Sequence, residues 1–232
     1  MTLSDAFDEI CRLDAPLNER LAAYANKLRE FNAPFAHAYD QLVARLSAAD
    51  AGSPAPATGE IMPPFLLPSD STRLLSLDEL LIKGPVVVSF NRGHWCPFCR
   101  MALITIASFH DEIAACGGQV VSIVPDRRQF AKHLELETGE KLQVLTDIDN
   151  GYALSLGLVM WLGGDLKDLM LERGYRLETF QGNDGWYVPM PAAFVVGRNG
   201  RVIARFVDPD FRKRMEIDEI LKALRSDTVQ NE

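Results

Sequence analysis

Two cysteines, Cys96 and Cys99, lie three positions apart in the segment Phe90–Arg100, which reads FNRGHWCPFCR. A β-branched run at residues 85–90 precedes them and predicts a buried strand, and the residues after Cys96 predict a long helix. Cysteines at this spacing in the first turn of a helix come within about 6 Å between their Cα atoms, which is close enough for a disulfide bond. The segment therefore predicts a pair that interconverts between dithiol and disulfide.

The two cysteines occupy different positions on the predicted helix. Pro97 suits the first helical position, because its missing N–H has no partner there. Cys96 then lies at the helix cap, where free amides and the positive end of the helix lower a thiol pKa and favour the attacking thiolate. Cys99 lies one turn further and is placed to attack a mixed disulfide or a sulfenic acid on Cys96. Trp95 shields the thiol, contacts a partner or is a packing residue, and the sequence leaves these three roles open.

Two other interpretations of the pair are disfavoured. A structural zinc site needs four ligands, usually from a second paired motif. Cys11 and Cys116 are isolated in the sequence, and the four histidines form no ligand pair. The strand–helix position and the intervening proline also argue against two inert core cysteines. We therefore expect neither a metal nor a cofactor.

The composition restricts partners and location. The chain has 232 residues, with 32 acidic and 24 basic side chains and a formal net charge of -8. This balance argues against nucleic acid or an anionic membrane surface as the main partner. No apolar run is long enough to span a membrane, and the N-terminal residues lack the basic start and apolar stretch of a secretory signal. We expect a cytoplasmic protein, in which a close cysteine pair is catalytic rather than structural.

The chain divides into three parts by composition and periodicity. Residues 1–50 predict a helical extension, with Ser4, Pro16 and Pro34 at the starts of three helices. Residues 51–60 are rich in Ala, Gly, Ser and Pro and predict a linker, and residues 61–232 predict the redox domain. The apolar stripes of the extension need a partner surface, so we expect it to dock on the redox domain or on a second subunit.

The redox domain predicts alternating strands and helices. The predicted strands are 65–67, 85–90, 119–124, 142–145, 192–196 and 202–206. The predicted helices are 76–82, 97–116, 126–138, 147–157 and 217–225. Strand–helix–strand units followed by a hairpin and a last helix indicate an α/β sandwich with a mixed sheet.

Two polar segments are assigned structural roles. The segment Asp147–Gly151 superficially suggests a calcium loop, but its glycine is one position early and no matching glutamate follows, so helix capping is expected. The basic run Arg212–Arg214 is expected to be a solvated face.

The segment around the cysteines resembles known redox families. Trp95–Cys99 looks like the thioredoxin and glutaredoxin active site. Val86–Leu103 is more similar to the peroxiredoxin-like branch of the alkyl hydroperoxide reductase/thiol-specific antioxidant (AhpC/TSA) family. Later segments that fit the same branch are 120–125, 142–147, 190–196 and 200–201, so the resemblance covers about residues 60–226. It implies a thioredoxin-like α/β/α sandwich with a central mixed sheet and an N-terminal helical extension.

The chain departs from the family at two places that hold the peroxide. Ordinary peroxiredoxins resemble Pro-x-x-x-Thr/Ser-x-x-Cys, but here Ser89 stands at the proline position and Gly93 at the Thr/Ser position. The family hydroxyl is therefore missing.

The family arginine before the strand near residue 194 is also missing, because Met190 and Pro191 stand there. Arg92 or Arg100 supplies a positive charge instead, or each is simply solvated. Thioredoxin-like proteins carry a cis proline facing the disulfide, and the resemblance implies that Pro191 is this residue. The alternative is a proline that starts a strand.

Three functional hypotheses follow. The first is a peroxiredoxin-like thiol peroxidase, an antioxidant enzyme in which Cys96 attacks a hydroperoxide and Cys99 resolves the sulfenic acid. The second is a general thiol–disulfide oxidoreductase, and the third is a redox sensor or binding module without enzymatic activity. The resemblance implies a thioredoxin-type or glutaredoxin/glutathione-type electron donor, and a homodimer is a possible assembly.

Overall fold

The computed structural model describes residues 2–69 and 73–230, which contain eleven α-helices and nine strands. The helices are α1 (Leu3–Cys11), α2 (Leu17–Phe31), α3 (Ala33–Ala48), α4 (Leu77–Lys83), α5 (Pro97–Ser108), α6 (His110–Ala115), α7 (Arg128–Glu137), α8 (Gly151–Ser155), α9 (Asp165–Glu172), α10 (Leu177–Gln181) and α11 (Ile217–Gln230). The strands are β1 (Leu66–Pro68), β2 (Leu74–Ser76), β3 (Val86–Phe90), β4 (Gln119–Val124), β5 (Gln143–Thr146), β6 (Val159–Trp161), β7 (Tyr187–Pro189), β8 (Ala192–Val196) and β9 (Val202–Val207).

A five-stranded mixed sheet with the order β5-β4-β3-β8-β9 forms the centre of the fold. The strands β3, β4 and β5 are parallel, whereas β8 is antiparallel to both β3 and β9. Successive side chains of β3 point to opposite faces, so Val86 and Val88 join one apolar core and Val87 joins the other. Helices cover both faces, and the α/β sandwich with a central mixed sheet is confirmed.

The helical extension docks on the redox domain of the same chain. Tyr24 of α2 packs edge-on against Phe98 of α5, with ring centroids 5.3 Å apart. Tyr39 of α3 packs edge-on against Phe211 at 4.9 Å, and it also contacts Phe98. These contacts place two helices of the extension directly over the first turn of α5, which carries the cysteine pair.

Two helix boundaries differ from the sequence-based expectation. The predicted helix 97–116 is two helices, α5 and α6, separated at Phe109. The hydroxyls of Thr105 and Ser108 donate to the carbonyl oxygens of Met101 and Thr105, and such bonds compete with the helical pattern at this point. The first helix is capped by Thr2 rather than by Ser4.

The peptide bond between Met190 and Pro191 is trans, so the implied cis proline is wrong. Pro191 immediately precedes β8, whose first residue Ala192 pairs with Phe90 of β3. A proline at the start of a strand needs no N–H for the ladder, and the trans form is intrinsically favoured.

The region between β5 and β8 contains elements that the sequence analysis did not predict. The strands β6 and β7 pair antiparallel, and α9 and α10 lie between them in the chain. The helix α9 packs against α3 of the extension, so this insertion closes the side of the molecule next to the cysteines. None of the described helices combines the length and apolarity needed to cross a membrane.

Candidate active site

The junction of β3 and α5 builds the cysteine pair. Cys96 is the N-cap of α5, and its Sγ accepts a hydrogen bond from the backbone N–H of Cys99 at 3.3 Å. Pro97 occupies the first turn, where the missing N–H costs nothing. The two Sγ atoms lie 2.7 Å apart, and both residues are completely buried. A disulfide between them therefore requires almost no movement of the backbone.

Arg92 lies beside the pair with its guanidinium completely buried. Its side-chain nitrogen atoms make no well-aligned hydrogen bond to the described residues, but the guanidinium lies close enough to Cys96 and Tyr39 to interact with both. The guanidinium stacks over the ring of Phe211 at 4.2 Å and also lies near the rings of Tyr39 and Trp95. Burial lowers the pKa of Arg92, but the combined negative charges of ionised Cys96, Tyr39 and Cys99 outweigh burial and raise it. A buried cation needs a counter-ion, and the negative charge of the ionised cysteine pair supplies it.

A second buried arginine, Arg214, faces the other cysteine. Its Nη2 donates to Cys99 Sγ at 3.5 Å, and its Nη1 donates to the carbonyl oxygens of Phe211 and Lys213. The expectation that the basic run Arg212–Arg214 is solvated is therefore wrong for Arg214, which is 6% exposed. Among the described residues, neither Arg92 nor Arg214 forms a salt bridge with a carboxylate.

The two thiols titrate as a linked pair. Burial and the hydrogen bond to Cys99 raise the pKa of Cys96, so the expectation that the helix cap lowers this pKa is wrong. Burial opposes ionisation of Cys99 as well, but the hydrogen bond from Cys96 and the charges of Arg214 and Arg92 outweigh it and lower the pKa of Cys99 well below its ordinary value. The pair therefore loses its first proton readily, and the resulting negative charge lies between two arginines.

The loop before the pair is held by a buried carboxylate. Asp126 accepts hydrogen bonds from the backbone N–H of His94 at 2.7 Å and from its ring Nδ1 at 2.8 Å. Gly93 has a φ of +130°, and a Cβ atom there would lie 2.6 Å from Asp126 Oδ1. The missing family hydroxyl therefore has a structural reason, because this position has no room for a side chain. The ring of His94 stacks on Phe130.

A small, largely apolar pocket of about 40 Å³ opens next to Cys96. Trp95 and Pro97, which flank this cysteine in the chain, both line it. Its other lining residues are Leu3, Tyr24, Leu28, Phe35, Tyr39, Phe98, Met170, Arg173 and Tyr175. A pocket of this volume holds a few water-sized molecules, which suits a small oxidant.

Two other sequence-based site residues, Arg100 and Pro191, have their own positions in the fold. Arg100 forms a two-pronged ion pair with Glu137, and its guanidinium lies 4.7 Å from the ring centre of Phe7. It ties α5 to α7 and α1, and its guanidinium is half-buried and paired with a carboxylate rather than fully solvated. Pro191 follows β7 and lies, by strand register, at the sheet end where β3 leads into the cysteine loop.

The remaining cysteines and the supposed calcium loop have structural surroundings. Burial raises the pKa of Cys11 to about 11, and Cys116 caps the C-terminus of α6. The carboxylate of Asp147 accepts hydrogen bonds from the backbone N–H groups of Tyr152 and Ala153, which is the expected capping role.

The chain matches the sequence model of a known protein family. The model of the AhpC/TSA family matches residues 58–205, more than half of the 232 residues. The chain belongs to the AhpC/TSA family. As a member, it is an enzyme of thiol chemistry, a thiol peroxidase or thiol–disulfide oxidoreductase. Among curated proteins, none matches the chain.

Solved structures similar to this AhpC/TSA protein confirm the thioredoxin-like fold. Peroxidoxin BcpB from Mycobacterium tuberculosis is 20% identical with a TM-score of 0.57, covering 74% of this chain and 97% of that protein. Reduced Prx3 from Vibrio vulnificus, in complex with H2O2, is 21% identical with a TM-score of 0.58, covering 72% and 98%. A peroxiredoxin-like protein from Aquifex aeolicus is 13% identical with a TM-score of 0.57, covering 76% and 91%. At these identities the likeness concerns the fold alone.

Proposed function

We propose that this protein is a thiol peroxidase that reduces small hydroperoxides, with Cys96 as nucleophile and Cys99 as resolving thiol. The burial of both sulfur atoms beside a small pocket carries the proposal. Both cysteines are completely buried and neither lines the pocket, so a small hydroperoxide that fits the pocket needs a much smaller opening to reach Cys96 than a disulfide in a folded protein does. The proposal is consistent with the family and with the names of the neighbouring structures, which are peroxiredoxins.

The choice of Cys96 as nucleophile rests on its position. Its two neighbours in the chain, Trp95 and Pro97, line the pocket. A negative charge on Cys96 also helps to raise the pKa values of three tyrosines that line the same pocket, Tyr24, Tyr39 and Tyr175. Cys99, one helical turn further, faces Arg214 instead. Cys96 therefore lies between two residues that line the pocket, whereas Cys99 lies on the Arg214 side of the pair.

The reaction begins from the singly ionised pair. A proton passes from Cys96 to Cys99 across the 2.7 Å between the sulfur atoms. The Cys96 thiolate attacks the hydroperoxide, so that an S–O bond forms, the O–O bond breaks, and an alkoxide leaves. The alkoxide takes the proton of Cys99 and departs as an alcohol or, for hydrogen peroxide, as water. Cys96 is now a sulfenic acid and Cys99 is a thiolate.

The second step closes the disulfide. The Cys99 thiolate attacks the sulfur of Cys96, the S–O bond breaks, and the leaving hydroxide takes a proton from solvent to form water. Arg92 stabilises the attacking thiolate and the departing alkoxide, because its buried positive charge has no carboxylate partner among the described residues. It replaces the family arginine, which is absent from its usual place.

An external reductant returns the disulfide to the dithiol. Glutathione and a thioredoxin-type protein are both larger than the pocket, so either donor requires the site to open before it reaches the disulfide, and the protein donor requires the larger opening. The alternative activity, general disulfide reduction, is favoured by the Cys-x-x-Cys spacing and by the absence of a hydroxyl at Gly93.

Paired assays separate the two activities. The reduced protein is supplied with hydrogen peroxide or an alkyl hydroperoxide and a glutathione- or thioredoxin-based reducing system, and in parallel with insulin. We expect peroxide consumption that depends on Cys96 and little insulin reduction. Rapid insulin reduction without peroxide consumption would replace the proposal with the oxidoreductase alternative.

A further inference from the structure

The buried arginine behind Cys99 is held in place from the helical extension. Arg214 lies between β9 and α11, in a segment without helix or strand. Its backbone N–H donates to Asn18 Oδ1 at 2.9 Å, and its carbonyl oxygen accepts from Asn18 Nδ2 at 2.8 Å. One amide side chain of α2 thus fixes both backbone hydrogen-bonding groups of Arg214.

A carboxylate secures the same contact from the other side. Glu216 accepts hydrogen bonds from the backbone N–H groups of Leu17 and Asn18 at 3.0 and 2.8 Å and from the Asn18 side chain at 2.7 Å. The N-cap of α2 is Pro16, which offers no side-chain cap, so Glu216 supplies an acceptor for the free amides of this helix. The extension and the segment at Arg214–Glu216 therefore stabilise each other.

We propose that Arg214 is a further catalytic residue, whose guanidinium stabilises the thiolate of Cys99, and that Asn18 is the residue that positions it. The first observation is the 3.5 Å contact from Arg214 Nη2 to the Cys99 sulfur. The second is that this cation is buried and has no salt bridge among the described residues, so the sulfur is its available counter-charge. The assignment of Cys99 as the resolving thiol rests on the proposed function, but the contact between Cys99 and Arg214 does not.

The consequence for the reaction concerns the second step. Cys99 attacks the sulfenic acid as a thiolate, and a cation at hydrogen-bond distance favours that form. The helical extension thereby acts on the chemistry through one side chain, besides covering the pocket. The other titratable groups facing the pair are Arg92 from the cysteine loop and the three pocket tyrosines already named.

The test measures thiolate formation in the full-length reduced protein by ultraviolet absorbance against pH. Arg214→Met removes the cation, and we expect the lowest thiol pKa to rise by about one to three units. Arg214→Lys keeps a charge and should restore part of the shift. Asn18→Ala should move the pKa in the same direction by a smaller amount. Asn26→Ala, an exposed change on the same helix, is the matched control and should leave it unchanged.

The double variant identifies the route of the Asn18 effect. If Asn18 acts through Arg214, then Asn18→Ala produces no additional shift in the Arg214→Met protein. An equal shift in both backgrounds would show that Asn18 does not position Arg214, and an unchanged pKa in Arg214→Met would overturn the role of the arginine. Because the readout needs no peroxide, failure of the peroxidase proposal would appear in the turnover assay and leave this result intact.

Discussion

Gly93 offers a quantitative test of how the cysteine loop is held. In Gly93→Ala the new Cβ would lie 2.6 and 2.8 Å from the two carboxylate oxygens of Asp126, closer than Cβ atoms approach other heavy atoms. The backbone φ of +130° adds strain of about 1 to 3 kcal/mol for a residue with a side chain. If Asp126 moves away, it loses two buried hydrogen bonds from His94, each contributing about 1.5 to 3 kcal/mol as bonds to a charged group. We expect the free energy of unfolding to fall by about 3 kcal/mol or more.

Urea unfolding followed by tryptophan fluorescence measures this loss. Gly174→Ala is the matched control, because Gly174 also has a positive φ, of +81°, but has no atom within 4 Å of the added Cβ. It should cost only about 1 to 2 kcal/mol. Equal losses in the two variants would refute the clash with Asp126 and leave backbone strain as the whole effect.

Three further predictions concern the cysteines and their charges. Cys96→Ser should abolish alkylation by iodoacetamide at mildly acidic pH, as judged by mass spectrometry, whereas loss of labelling in Cys99→Ser instead would exchange the two roles. Arg92→Met removes a cation that favours the thiolate, so the pH profile of peroxide consumption should move up by about one to three units; an unmoved profile would exclude Arg92 from the chemistry. Cys11, whose pKa burial raises to about 11, should label far more slowly at neutral pH than the linked pair, which loses its first proton readily. Comparable rates by peptide-level labelling would show that burial does not suppress the ionisation of Cys11.

The sequence was sufficient to predict the features that depend on local pattern. The β-branched run of β3, the cap position of Cys96 and the proline after it lie within a few residues of one another, and their geometry follows from helix and strand rules alone. The turn at residues 198–200 likewise predicts the hairpin of β8 and β9. The family resemblance implies the thioredoxin-like α/β/α sandwich with a central mixed sheet.

Other features depend on contacts between distant residues. Nothing in the run Arg212–Arg214 distinguishes Arg214 from its basic neighbours, and its burial depends on Asn18, which lies 196 positions away in the chain. The absence of a side chain at Gly93 is explained by Asp126, whose carboxylate occupies the space that a Cβ atom would need and lies 33 positions away in the chain. The Met190–Pro191 peptide bond is trans and leads directly into β8, whereas the family resemblance implies a cis bond at this position.

The most direct test of the central claim is peptide mapping without reduction after one equivalent of hydroperoxide. The reduced protein should lose two thiols per chain and yield a single peptide linked between Cys96 and Cys99. Cys11 and Cys116 should remain reduced thiols, and no covalent dimer should accumulate. A bridge from Cys96 to either of these cysteines, a dominant disulfide-linked dimer, or no thiol loss at all would contradict a peroxidase that cycles between Cys96 and Cys99.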